Sequence, residues 1–317
     1  MAVKTTFSEY ELSQICSNYN LGTYVDSTPF TNGTVQTNLK IQTTAGHYVF
    51  RYYENRNENS VLFETNLLSF LKDCNYPCPA PFKNKDGNLA GIHNSKPYVL
   101  FEFMEGEHIE EPNEKQVKQL IQKAAELQSL TKNYSPIHKD DRWNYSVEFC
   151  RELARHESKR INTINSKNKL AWLEKELLEL ELPESLPKGI CHADFHFSNV
   201  LYNNDEFSAL LDFDDANYTY LLFDLIGLIS NWAWQYGEDN LNILEAKKVI
   251  SEYSQHRPLY DIEERHLYDV FKLSILIDCV WYFERGDTQD FYEKRKIDFL
   301  NLLGREAFYH ELFNNKV

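Results

Sequence analysis

Up to about Met104 the apolar residues of this chain fall in short β-branched and aromatic runs, and after Gly106 they recur at helical spacing. A chain whose strands are concentrated before that point and its helices after it does not read as regularly alternating strand and helix units. It predicts an α+β protein with the strands gathered first and the helices after them. At 317 residues it is also long for one compact core, so two lobes are expected, residues 1–104 and 105–317, joined near Glu105-Gly106.

In the first lobe TNLKIQTTAGHYVFRYYE reads as two strands turning at Ala45-Gly46. A helix is expected over about Asn59 to Lys72, where Leu67, Leu68 and Leu71 recur at helical spacing. A turn at Asp86-Gly87 then leads to an apolar strand from Tyr98 to Met104. Helical patterns follow in EKQVKQLIQKAAELQSL, SVEFCRELARHESKRINTI and NKLAWLEKELLELE, up to the breaker LPESLPKG. Further helices are expected over about Tyr220–Tyr236, Leu241–His256, Ile262–Arg285 and Asp290–Phe313.

One strong strand pair interrupts the helical half, in ICHADFHFSNVLYNNDEFSALLDFDDA. Asn199 to Tyr202 and Phe207 to Leu211 are apolar enough for strands, with turn residues Asn203-Asn204-Asp205 between them. An antiparallel hairpin sets the start of its first strand beside the end of its second. Asn199 and Asp212 therefore meet at one end, and Asp194 lies in the loop that feeds it. An amide oxygen and carboxylates suit magnesium, which takes hard oxygen ligands and keeps waters. Zinc is the lesser alternative, because HADFH is neither HExxH nor a paired CxxC.

The combination His192-x-Asp194-x-x-x-x-Asn199 followed by Asp212-Phe213-Asp214 resembles the catalytic and metal loops of the protein-kinase-like small-molecule phosphotransferases. That superfamily includes aminoglycoside phosphotransferases, choline kinases, methylthioribose kinases and type II homoserine kinases, and the last are most similar in the FDLIGLISNW run. The resemblance implies a two-lobed protein-kinase-like fold, with a small antiparallel-sheet lobe and a larger helical one. It also implies ATP and Mg2+ as cofactors and a small hydroxyl compound as acceptor. Asp194 would accept the hydroxyl proton, Asn199 and Asp212 would hold magnesium on the phosphates, and His192 would be structural. Asp224, which interrupts an apolar helix, would brace the catalytic-loop backbone.

The same resemblance asks the first lobe for a glycine loop over the phosphates, a strand cation, and a helix acid to hold it. Gly33 in Thr31-Asn32-Gly33-Thr34 stands at the loop, and Arg51 stands where a lysine is expected. Glu64 shares the core-facing stripe of Leu67, Leu68 and Leu71, so it wants a cation, and Arg51 is the candidate. Glu102, Phe103 and Met104 fall where a hinge backbone reads the adenine edge.

The acceptor is less legible. Type II homoserine kinases carry an arginine in the penultimate helix, whereas LSILIDCVWYFERG has Asp278. Asp214, Asp215 and Asp278 with Trp232, Trp234, Trp281 and Tyr282 suit an amine or quaternary ammonium, although such aromatics also serve as core. Asn231 joins Asp214, Trp234, Asp278 and Trp281 as a candidate substrate residue. Homoserine and an amino alcohol or aminoglycoside both stay open, as does a catalytically silent binding protein of the same shape.

A net charge of -15, from 33 basic and 48 acidic residues, disfavours nucleic acid or an anionic membrane as partner. The N-terminus lacks a secretory pattern, no apolar run approaches twenty residues, and the six cysteines show no ligand spacing. These features predict a cytoplasmic setting.

Overall fold

The computed structural model describes residues 4–30 and 35–314. It divides into two compact units, the first comprising Met1–Pro112, Asn133–Arg142 and Phe197–Asp214, the second Asn113–Lys132, Trp143–His196 and Asp215–Val317.

The first unit is built on an antiparallel sheet of β1 (Tyr24–Pro29), β2 (Thr37–Thr43), β3 (Gly46–Tyr52), β4 (Gly91–His93) and β5 (Lys96–Glu102). The strands lie in the order β1-β2-β3-β5-β4. Leu39, Ile41, Phe50, Tyr52 and Leu100 bury one face against Leu12, Ile15 and Cys16 of helix α1 (Glu9–Ser17). Ser8 and Glu11 cap α1 reciprocally, which explains why so short a segment is helical. Tyr98 to Phe101 are buried throughout, because helix α2 (Glu58–Asp73) covers the other face of β5. Asn57 caps α2, and Val61, Leu67, Leu68 and Leu71 form its buried stripe.

The second unit carries α3 (Glu114–Leu130), α4 (Val147–Ile161), α5 (Ile164–Leu178), α6 (Leu222–Ala233), α7 (Ile243–His256), α8 (Asp261–Trp281), α9 (Lys294–Leu303) and α10 (Arg305–Tyr309). The last expected helix breaks at Gly304, which takes φ +77° between α9 and α10. A pair absent from the sequence reading also forms, β6 (Lys188–Cys191) against β9 (Asn217–Tyr220). Four residues per strand are too few to show a period, which is why pattern reading passes over them.

The expected hairpin is present as β7 (Val200–Asn203) and β8 (Glu206–Leu210), each offset by about one residue from the sequence boundaries. It groups with the first unit, so the division differs from a single cut near residue 104. Backbone bonds explain the grouping: Glu107 and Tyr202 exchange N–H···O contacts of 2.8 and 3.0 Å, and Leu210 N donates to Pro77 O at 2.9 Å. Gly106, at φ +147°, permits this approach, since a Cβ there would lie 2.9 Å from Leu201 Cβ and 3.0 Å from Tyr202 O. Among the described residues no helix is long and apolar enough to cross a membrane. All six cysteines are free thiols, five of them buried.

Candidate active site

The hairpin turns through Asn204 and Asp205 at φ +48° and +64°, the backbone of a type I′ turn, whose twist matches that of paired strands. At its open end Leu211 N donates to Asn199 O at 2.8 Å, which fixes Asn199 one residue from the level of Asp212. Asp212 takes the left-handed conformation, φ +62°, uncommon for a residue with a side chain. Its carboxylate meets Arg51 Nη1 at 3.1 Å and keeps 47% of its side chain exposed.

Arg51 also pairs with Glu64 at 3.4 Å and donates through Nε to Asn38 Oδ1 at 2.9 Å. Tyr53 OH donates to the other Glu64 oxygen at 3.1 Å. Burial works against the Arg51 charge, but Asp212 and Glu64 more than offset it and hold its pKa above the usual arginine range. Burial pushes the Glu64 carboxyl up to about 7 although Arg51 opposes this. The cation and helix acid anticipated from the sequence are thus in contact, and the cation reaches the hairpin acid as well.

In the second unit the loop after β6 carries Asp194 with its side chain open to solvent. His192 is fully buried, packs on Phe195 at 5.0 Å between ring centroids, and its Nδ1 accepts from Asp194 N at 3.3 Å. Ala193 sits at φ +65°, which turns its N–H onto Asp224 Oδ1 at 2.8 Å; His192 N donates to Oδ2 at 3.2 Å. Gln128 Nε2 donates to the same Oδ2 at 3.2 Å and to Leu221 O at 2.8 Å. Burial raises the Asp224 pKa, and the bonds from Ala193 and His192 oppose the rise.

Several expected ligand contacts are corrected. Asp214 is 8% exposed, and its carboxylate accepts from Arg56 Nε at 3.0 Å and Gln36 Nε2 at 2.9 Å. Its carbonyl accepts from Arg56 Nη2 at 2.9 Å and from Arg142. Burial pushes its carboxyl up, but Arg56 and Arg51 outweigh this and hold it below the usual range. It is an internal clamp, not a substrate group. Trp234 is fully buried, edge-on to Phe271 and Phe299, and belongs to the core. Asn231 directs one of its two amide N–H donors to Phe195 O at 2.7 Å.

Asp278 and Trp281 are exposed, one helical turn apart on α8, and Trp281 packs on Trp143 at 5.1 Å. Dense protein around Asp278 pushes its carboxyl up to about 7, opposed by Lys296 and reinforced by Glu293 and Asp194.

Of the hinge residues, Glu102 ends β5 with its N–H on Ala80 O at 2.9 Å and its carboxylate on Lys72 at 2.8 Å. That amide is therefore not free to read a nucleotide, because the sheet edge already uses it. Phe103 lies beneath Lys40 Nζ at 4.3 Å, and Met104 is half-buried. Gly33 lies outside the described residues.

Sequence reasoning missed Arg56, Arg142 and Gln36, which gather on Asp214 from positions 158, 72 and 178 residues away. No local pattern marks them. For a metal, the described residues hold no group of three His, Cys, Asp or Glu side chains suited to one. Asn199 and Asp212 offer oxygen donors, which fits magnesium shared with phosphates and not a protein-only zinc cage.

A strand cation paired to a helix acid, together with an HxD loop braced by a buried aspartate, defines the protein-kinase-like fold. The solved structures agree: amicoumacin kinase, in complex with AMP-PNP, Ca2+ and Ami, superposes with a TM-score of 0.66 at 15% identity over 96% of this chain and 94% of its own. A spectinomycin phosphotransferase in complex with ADP and spectinomycin gives a TM-score of 0.60 at 15% identity, covering 98% of each chain. The model of the phosphotransferase enzyme family matches residues 26–259, and the chain belongs to that family. It is a phosphotransferase acting on a hydroxyl group. Among curated relatives, homoserine kinase of Rhodospirillum rubrum is 29% identical over 266 residues, 83% of this chain and 81% of the relative. Homoserine kinase of Parvibaculum lavamentivorans is 28% identical over 270 residues, with the same 83% and 81% shares.

Proposed function

We propose that this protein moves the γ-phosphoryl group of ATP, with magnesium, to the hydroxyl of a small amino-bearing acceptor, homoserine first, in the cytoplasm. The observation that carries the reading is Asp194, an exposed acid on a loop whose backbone Asp224 holds by two N–H bonds. Asp194 orients the acceptor hydroxyl and takes its proton as the oxygen attacks the γ-phosphorus and ADP leaves. Asn199 and Asp212 would hold magnesium, which neutralises phosphate charge when bound. Arg51, kept cationic by Asp212 and Glu64, suits the phosphates as well, although its fork binds differently from a lysine ammonium.

Homoserine stands first because the reported curated relatives matching four-fifths of their own length are homoserine kinases. A second reading, an amino alcohol, is favoured by Asp278. A carboxylate one helical turn from the exposed ring of Trp281 suits an ammonium. Lys296, the base that acts on Asp278, is already engaged by Glu293 and Trp234 O, both at 2.7 Å. An ADP-release screen over homoserine, choline, ethanolamine, methylthioribose and aminoglycosides separates the readings. Homoserine as best acceptor supports the first and choline or ethanolamine the second, and silence with all five sinks the proposal.

Asp212→Asn keeps the size of the side chain and tolerates the left-handed backbone, so it isolates the charge. It is expected to weaken MgATP binding about tenfold, ~1.4 kcal/mol, with a smaller effect on magnesium-free ATP. Equal affinity for MgATP by calorimetry removes the metal role.

A further inference from the structure

We propose that one face of α6 is a two-sided clamp for the Asp194 loop, and that Asn231 is a positioning residue for phosphoryl transfer; this rests on the role given to Asp194. Asp224, Gly227 and Asn231 are spaced three and four residues apart and so fall on one face of the helix. Each meets the loop in a different way. Asp224 accepts the N–H groups of His192 and Ala193, on the N-terminal side of Asp194. Asn231 Nδ2 donates to Phe195 O at 2.7 Å, on its C-terminal side. Between them lies Gly227, where a Cβ would make only ordinary contact with the loop, 3.7 Å from Phe195 O and 4.0 Å from Phe195 N.

Asp194 is thereby bracketed. An acceptor carboxylate fixes N–H groups before it, and a donor amide fixes a carbonyl after it, so the peptide planes on both sides are oriented by the same helix. The opposite polarities make the pair directional, since an ionised carboxylate at Asp224 cannot donate to a carbonyl as Asn231 does. Gln235 Nε2 in turn donates to Asn231 O at 3.2 Å, at the helix end.

The test measures ADP release from MgATP with homoserine, and with water as the only acceptor, in Asn231→Leu, Asn231→Asp and Asp194→Asn, singly and combined. Asn231→Leu is expected to lower kcat about tenfold to a hundredfold with less than a twofold change in KM for ATP. Combined with Asp194→Asn it should add almost nothing, because it acts through Asp194. Asn231→Asp donates only when protonated, so its activity relative to wild type should rise as pH falls. Hydrogen exchange of the peptide spanning 189–197 provides a readout independent of acceptor and should quicken in Asn231→Leu. If the Asn231 and Asp194 losses multiply, or exchange is unchanged, the clamp is refuted. If Asp194→Asn alone keeps full activity while exchange quickens as expected, the clamp stands and the role of Asp194 fails.

Discussion

Asp194→Asn is expected to lower turnover by about 100-fold to 10,000-fold, the span general-base removal usually covers, with nucleotide affinity within a factor of two. The separation follows from how the loop is built. Asp194 contributes its backbone to the turn, with its N–H on His192 Nδ1 and its carbonyl accepting from His196 N at 2.9 Å. Asp224 holds the preceding peptides. The variant therefore keeps the loop and loses the proton acceptor. Full activity in Asp194→Asn would remove it from the chemistry; equal loss of turnover and of ATP affinity would instead indicate a collapsed loop.

The second large effect is on stability. Arg56→Ala leaves the Asp214 carboxylate buried without its closest cation, a change that typically costs 3 kcal/mol or more. Gln36 and the Arg51 charge remain, so about 3 kcal/mol is expected, read as a thermal midpoint lower by roughly 5 °C. The sign of the pH dependence is fixed as well. Asp214 is held below its usual pKa, so its pairing stabilises the fold above the unfolded value near ~4 and is lost as pH falls through the folded value. The gap between wild type and Arg56→Ala should narrow in acid, and a gap that widens as pH falls contradicts the pairing.

Much of the fold could be read from local pattern. The hairpin announced itself through Asn203-Asn204-Asp205 between apolar runs, and the Arg51–Glu64 pair through an acid on a leucine stripe. What escaped depended on long-range assembly. Asp214 looked like a ligand because nothing nearby in sequence announces Arg56 or Gln36, which arrive from another part of the chain. Trp234 and Trp281 share a composition signal, and only packing tells the core ring from the exposed one. Asn231 carried the right chemistry for a ligand contact, but its donor faces Phe195. Short strands β6 and β9 were invisible because pairing, not propensity, makes them strands.

The hairpin's two ends differ in exposure. Pairing at Asn199–Leu211 and at Pro77–Leu210 fixes the ligand-bearing end, while the Asn204–Asp205 tip is exposed at the far end of β7 and β8. A reporter attached at exposed Asn203, as Asn203→Cys, can therefore ride on the strands that carry Asn199 and Asp212 without touching either. The buried native thiols leave Cys74 as the main competing label. The turn thus provides a handle for following nucleotide arrival by fluorescence, at a point where the backbone tolerates modification and the chemistry does not notice it.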